Sequence, residues 1–216
     1  MNALRVRYQT IEVGNLDIHV RTLRDNQQYL DVDGVAEGLG ISSANWPLFG
    51  VVWESGAVLA RVMLDYKLGE KRILEVGCGI ALASLVLNQR HADITATDYH
   101  PEAEHFLAAN VRLNNGREIP FVRTGWADTD SGLGRFDVVI GSDLLYEHGY
   151  VELLAAFIER HAKSHCEVII VDPGRPHRAR FSKKMITLGY TLEQHRPTHS
   201  DDPQRPFGGQ VLRYMR

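Results

Sequence analysis

Two apolar runs constrain this chain more than anything else in it, because each ends in residues that do chemistry. Arg72-Ile-Leu-Glu-Val-Gly-Cys-Gly-Ile-Ala81 passes from a strand-like segment into a glycine turn, and Ile94-Thr-Ala-Thr-Asp98 brings a second run to a carboxylate. A helix-like stretch lies between them. Strand, glycine turn, helix, strand and acid at this spacing describe two parallel strands whose C-terminal ends open on one crevice. That layout grips an adenosine-bearing cofactor.

The rest of the chain extends the pattern. Candidate strands at 72–76, 93–97, 119–123, 136–141 and 167–172 are interleaved with helical segments at 81–90, 101–113 and 149–162. Such alternation implies a parallel sheet with helices on both faces. Pro101 is well placed to open the helix after Asp98. Residues 189–195 and 209–215 also read as strands, but the Pro/Asp/Gly-rich loop joining them leaves no room for a crossover helix, so they should pair antiparallel. Upstream, Val58, Leu59, Val62, Met63 and Tyr66 recur at helical spacing within 53–68. Residues 7–23 alternate around Gly14-Asn15 as a β-hairpin, and 28–50, poor in periodic apolar residues, reads as an irregular lid or linker. The expectation is an α/β, Rossmann-like sheet of five parallel strands plus a terminal antiparallel pair. A hairpin and lid extension would occupy residues 1–50 and the cofactor domain residues 51–216.

With 216 residues the chain is long enough for one full-sized core, and its net charge of −3 supplies no basic field for nucleic acid. No run reaches the length of a membrane span, and MNALRVRYQT lacks the apolar centre of a signal peptide. Cys78 and Cys166 lie far apart and read as reduced thiols of a cytoplasmic protein. A monomer without membrane or nucleic-acid partners is expected. His161 and His165 beside Cys166, and His195 with His199, have spacings a zinc ion could use. The first pair straddles a helix end, where histidine complements the dipole, and the second lies in a Pro-containing segment, so no metal is expected. The basic stretch Asp172-Pro-Gly-Arg-Pro-His-Arg-Ala-Arg180 reads as a solvated rim or as the lining of a substrate entrance.

The glycine loop also discriminates between cofactors. A dinucleotide loop wants a small residue where this chain has Leu82, and Glu75 would repel a pyrophosphate, so NAD is disfavoured. No G-K-[ST] is present, which excludes a P-loop. Glu75 suits a cofactor that carries positive charge, and S-adenosylmethionine bears both an ammonium and a sulfonium.

Glu75-x-Gly77-x-Gly79 followed by Asp98 resembles the seven-strand S-adenosylmethionine-dependent methyltransferases, whose strand count and antiparallel end agree with the pattern above. A narrower resemblance, over roughly residues 10–215, is to the family-16 protein lysine methyltransferases. Three segments carry it: Trp46-Pro47 with Gly50-Val-Val-Trp53-Glu54-Ser55-Gly56, then Thr124-Gly-Trp126, then Asp143-Leu-Leu-Tyr146, which matches that group's D-x-x-Y. Ala81 departs from the third glycine of the common loop.

The residues and the resemblance together assign roles. Gly77, Cys78 and Gly79 bring backbone to the cofactor, Glu75 faces its charge, and Asp98 accepts from the ribose hydroxyls, or caps the helix after it. Ser142 offers a backbone contact. The resemblance implies that Trp126 lies on the adenine and that Trp53 covers the site, although Trp53 could equally start the helix as a core residue. Asp143 and Tyr146 are the catalytic candidates. Asp143 would receive the acceptor's ammonium and Tyr146 would shape its channel. A solvated, helix-capping Asp143 is the alternative. The function implied is transfer of a methyl group to a lysine of a protein substrate. Acceptors among small molecules or arginine and histidine side chains, and an inactive cofactor-binding module, remain as alternatives. The absence of N-P-P-Y after the fourth strand argues against the adenine- and glutamine-methylating groups.

Overall fold

A computed structural model describes residues 4–24, 29–197 and 207–216 of the protein. His199 and most of the Pro/Asp/Gly-rich loop between the last two strands lie outside the described residues.

β3 (Arg72–Val76), β4 (Asp93–Asp98), β5 (Phe121–Arg123), β6 (Phe136–Ser142), β7 (Ala162–Asp172), β8 (Thr191–His195) and β9 (Gln210–Met215) form one sheet in the order β5-β4-β3-β6-β7-β9-β8. β5 through β7 in that order pair parallel, and β9 runs antiparallel to both β7 and β8, between which it is inserted. The sheet is therefore the expected one, five parallel strands with an antiparallel pair at the end. The order reverses at β3, whose neighbours are β4 and β6, and a crevice opens there beyond the strand ends.

Alternation along the central strands feeds two cores. Ile73, Val138, Ile140 and Ile169 point to one face, where α2 (Glu54–Asp65), α3 (Leu82–Gln89) and α4 (Ala103–Leu113) pack. Leu74, Val76, Val139, Val168 and Ile170 point to the other, under α5 (Tyr150–His161) and α6 (Arg178–Thr187). The period of two comes from the pleat, and the near-continuous apolar runs come from burial on both faces. Each fully buried Leu, Ile or Val is worth about 1.5–3 kcal/mol relative to exposure.

Boundaries depart from the sequence pattern where polar residues interrupt it. β7 starts at Ala162, because Lys163, Ser164 and His165 continue the strand past a register shift opposite Phe136 and Val138. α6 was not expected from the sequence. It buries Phe181, Ser182 and Met185, and the rest of the helix is mostly polar, with Ile186 exposed. Within 28–50 lie a one-turn helix, α1 (Val35–Gly38), and a 3-10 turn at Leu48–Gly50.

The hairpin of β1 (Val6–Val13) and β2 (Leu16–Leu23) forms its own two-stranded sheet. Ile18, Val20 and Leu23 join the first core. Asn114 at the end of α4 grips His19 from both sides, its Oδ1 accepting the His19 N–H at 2.8 Å and its Nδ2 donating to the His19 carbonyl at 2.7 Å. Asn110 Oδ1 accepts the Arg21 N–H at 2.7 Å. No helix among the described residues is long and apolar enough to cross a membrane.

Candidate active site

The C-terminal ends of β3, β4 and β6 open into a cavity of about 750 Å³. Trp53, Glu75, Gly77, Cys78, Gly79, Asp98, Trp126, Ser142, Asp143 and Tyr146 all line it. Every site residue picked from the sequence is thus gathered in one cavity, although they come from five separate segments of the chain.

The glycine loop is held from inside the protein. Gly77 and Gly79 sit at φ +60° and +55°, where a side chain is strained. A Cβ on Gly77 would come within 2.7 Å of Leu144 Cδ2, and one on Gly79 within 2.9 Å of the Phe49 carbonyl oxygen. The glycines are therefore needed for backbone shape and for packing against neighbouring loops, before any cofactor is considered. Ala81, which opens α3, also adopts a left-handed φ of +62°, so the third-glycine position keeps its conformation without the glycine.

Two carboxylates form the floor, Glu75 buried and Asp98 half-buried. Asp98 Oδ2 accepts the Gly79 N–H and Oδ1 the His100 N–H, both at 2.8 Å. The acid after β4 thus ties down the loop after β3 and also closes its own turn. Burial raises its pKa against these hydrogen bonds. Glu75 Oε2 accepts from the Ser84 N–H at 2.9 Å and from the Ser84 hydroxyl, which satisfies a donor in the first turn of α3. Desolvation outweighs those bonds and pushes the Glu75 carboxyl up to about 7. The floor of the cavity therefore carries carboxyl groups shielded from water, a setting that favours a cationic guest.

Residues 40–49 form a wall. Phe49 stacks on His100 with centroids 3.9 Å apart and planes at 15°. His100 is buried, which lowers its pKa to about 4, so its ring is neutral at neutral pH. Its Nδ1 accepts the Glu102 N–H at 3.2 Å. Tyr99 donates its hydroxyl to the Leu39 carbonyl at 2.8 Å, and Asn45 donates to Glu147 Oε1 at 2.9 Å, which pins the segment to both sides of the cavity. Phe49 and His100 line the site and were missed from sequence. Neither belongs to a motif, and only the fold brings them together. Trp53 is no core residue: it precedes α2, stays 36% exposed and donates its indole N–H to the Leu48 carbonyl at 2.9 Å.

Asp143, just past β6, stands at the lip in a left-handed conformation, φ +55°, with its N–H donated to the Val171 carbonyl. It caps no helix. Both of its oxygens are taken by Arg175, whose Nε donates to Oδ1 at 2.6 Å and Nη2 to Oδ2 at 2.8 Å. The carboxylate expected to receive an ammonium is thus already engaged by a guanidinium. The sequence placed Arg175 in a basic rim, and contact across 32 residues hid its partner. Tyr146 lies edge-on to Tyr150, which in turn lies edge-on to Trp126, each pair with centroids 5.0 Å apart. Burial raises the pKa of the Tyr146 hydroxyl, so it keeps its proton.

None of His161, His165 and His195 lines the cavity. His161 is bound to Gly134 and Ser131, and no metal-ligating cluster occurs among the described residues. Cys78 and Cys166 are both free and buried.

Comparison with known proteins agrees with this geometry. Residues 43–187 match the family model described as lysine methyltransferase. The chain is 27% identical, over 72% of its length and 62% of the relative's, to the electron transfer flavoprotein beta subunit lysine methyltransferase of Mus musculus. It is 32% identical, over 48% of its length and 52% of the relative's, to protein N-lysine methyltransferase METTL21A of Danio rerio. The histidine protein methyltransferase 1 homolog of Dictyostelium discoideum is 28% identical over 52% of this chain and 39% of that protein. The chain thus spans between about two fifths and three fifths of these relatives' lengths. Among solved structures, magnesium protoporphyrin IX methyltransferase of Synechocystis PCC 6803 with bound SAM shares the fold with a TM-score of 0.59. That match has 17% identity and covers 75% of this chain and 77% of that one.

Proposed function

The chain belongs to the lysine methyltransferase family whose model matches residues 43–187, and we propose that it transfers a methyl group from S-adenosylmethionine to the ε-amine of a lysine in a protein. The observation that carries this reading is the joining of two sets of residues in one cavity. The carboxyl groups of Glu75 and Asp98, suited to a cationic donor, lie below, and Asp143 with Tyr146 stands at the lip. Glu75 and Asp98 would hold the donor's ammonium and ribose, Trp126 its adenine, and the backbone of Gly77–Gly79 its amino-acid end. When bound, S-adenosylmethionine supplies a methyl carbon activated by a sulfonium.

The protein's own residues then have an alignment task and a proton task. Lysine attacks only as the neutral amine. With a pKa near 10.4, about one in a few thousand is neutral at pH 7, a deficit of roughly 4–5 kcal/mol. Positive charge already in the cavity disfavours the ammonium, and the proton leaves to water. Tyr146 keeps its hydroxyl proton, and its oxygen would accept an N–H of the amine, leaving the nitrogen lone pair free to face the methyl carbon. Asp143 sets the charge at the lip. Its part is to orient the amine, while the proton goes to water.

Mass spectrometry of a cell extract methylated by the protein in vitro tests the proposal. Methyl groups mapped to lysine support it. Methyl groups confined to histidine, arginine or small molecules overturn it.

A further inference from the structure

A second cavity, of about 360 Å³, adjoins the first and is lined by Trp53, Glu54, Ser55, Pro173, Gly174, Pro176, Asp143 and Arg175. Trp53, Asp143 and Arg175 line both cavities and so form their common wall. Trp53 and the two prolines offer an apolar slot of the kind a lysine's methylene stem can lie against. Yet the carboxylate at its inner end is closed by the Arg175 fork.

That fork is fixed from behind. Asp172, wholly buried at the end of β7, has one oxygen that accepts the Gly174 and Arg175 N–H groups at 2.8 and 2.9 Å. The loop after β7 is thereby wound so that the guanidinium reaches Asp143. Asp143 is itself fixed by its left-handed backbone and its bond to Val171. The Asp143 side chain is 11% exposed and that of Arg175 38%, so the arginine can swing out to water and the carboxylate cannot.

We propose that Arg175 is a resident cation on Asp143 that the acceptor's ammonium must displace, and that the 360 Å³ cavity is the channel by which the acceptor arrives. The inference rests on the amine-acceptor reading given above. A planar fork holds a carboxylate through two bonds and an ammonium through one, so a free amine competes poorly with it. A lysine presented on a protein brings further contacts along Trp53 and the prolines and can complete the exchange. Arg175 is in this sense a specificity residue: it withholds Asp143 from small amines.

The test uses n-butylammonium, the side chain of lysine alone, titrated into the full chain and followed by NMR shifts of the Trp53 indole. Arg175→Met should bind it at least tenfold more tightly than the parent, and Arg175→Lys, which keeps the charge but loses the fork, about threefold. Adding Asp143→Asn to Arg175→Met should remove the gain. Equal affinity in the parent and both Arg175 variants, or a gain that survives Asp143→Asn, overturns the proposal. This readout involves no methyl transfer. Calorimetry with S-adenosylmethionine on the parent tests the methyltransferase reading separately.

Discussion

Asp98 and Gly79 lie 19 residues apart in sequence and are joined by a 2.8 Å hydrogen bond from the glycine N–H to the carboxylate. Asp98→Ala leaves two buried backbone donors, on Gly79 and His100, without their acceptor, at about 1–3 kcal/mol for each donor left unsatisfied. The expected outcome is a lower melting temperature together with S-adenosylmethionine affinity weakened about 10- to 100-fold, or 1.4–2.8 kcal/mol. Affinity unchanged by calorimetry would move the cofactor site elsewhere.

Glu75 has a pH signature of its own. Its carboxyl sits near 7 in the folded protein against an ordinary 4.5, so between those values the native state holds a proton that the unfolded chain has released. This contribution therefore makes stability decline as pH rises from 4.5 to 7. His100, lowered from 6.5 to about 4, works in the opposite sense and makes stability fall as pH drops through that interval. Glu75→Gln removes the first effect. It should stabilise the protein at pH 8 by roughly 1–3 kcal/mol in chemical denaturation, weaken S-adenosylmethionine binding about tenfold, and abolish proton release on binding. A variant no more stable than the parent at pH 8 contradicts the assigned burial cost.

Gly79→Ala and Gly34→Ala form a matched pair. Both positions have left-handed φ, +55° and +65°, but a Cβ at Gly34 meets nothing within 4 Å whereas one at Gly79 meets the Phe49 carbonyl at 2.9 Å. Gly34→Ala should cost only the conformational penalty, about 1–2 kcal/mol. Gly79→Ala should cost about 1–3 kcal/mol more, because a backbone atom has to move. Thermal melts of both variants check this, and equal losses would rule out the clash with Phe49.

Asp143→Asn preserves the shape of the lip while removing its charge. Methyl transfer to protein should fall at least 100-fold, with S-adenosylmethionine affinity held within a few-fold, since the group lies on the acceptor side. Full activity in the Asn variant would show that the carboxylate has no part in placing the amine.

The parts of this molecule that could be read in its sequence are those where neighbours in the chain decide the outcome. β3 and β4 are apolar enough to be buried on both faces, Gly77 and Gly79 supply the left-handed turn, and Asp98 follows at the spacing of one helix. α6 could not be read because its buried face carries only two large apolar residues, Phe181 and Met185, while Ile186 points to solvent. The start of β7 was hidden by Lys163, Ser164 and His165, which extend the strand through pairing rather than propensity. In the site, Glu75 was legible as a charge but not as the partner of Ser84. Arg175 was legible as a rim residue but not as the partner of Asp143. Both pairings depend on where strand ends meet, which local pattern does not encode.

The insertion of β9 between β7 and β8 has a consequence for biogenesis. During translation β8 is complete while its eventual neighbour is still unmade, and β7 then has a bare edge of unpaired amides. Until β9 is made, β8 has no partner in the sheet, because its only ladder among the described residues is to β9. β9 brings β8 with it onto the β7 edge, and until it does that edge is where a newly made molecule is most exposed to pairing with its neighbours on a polysome.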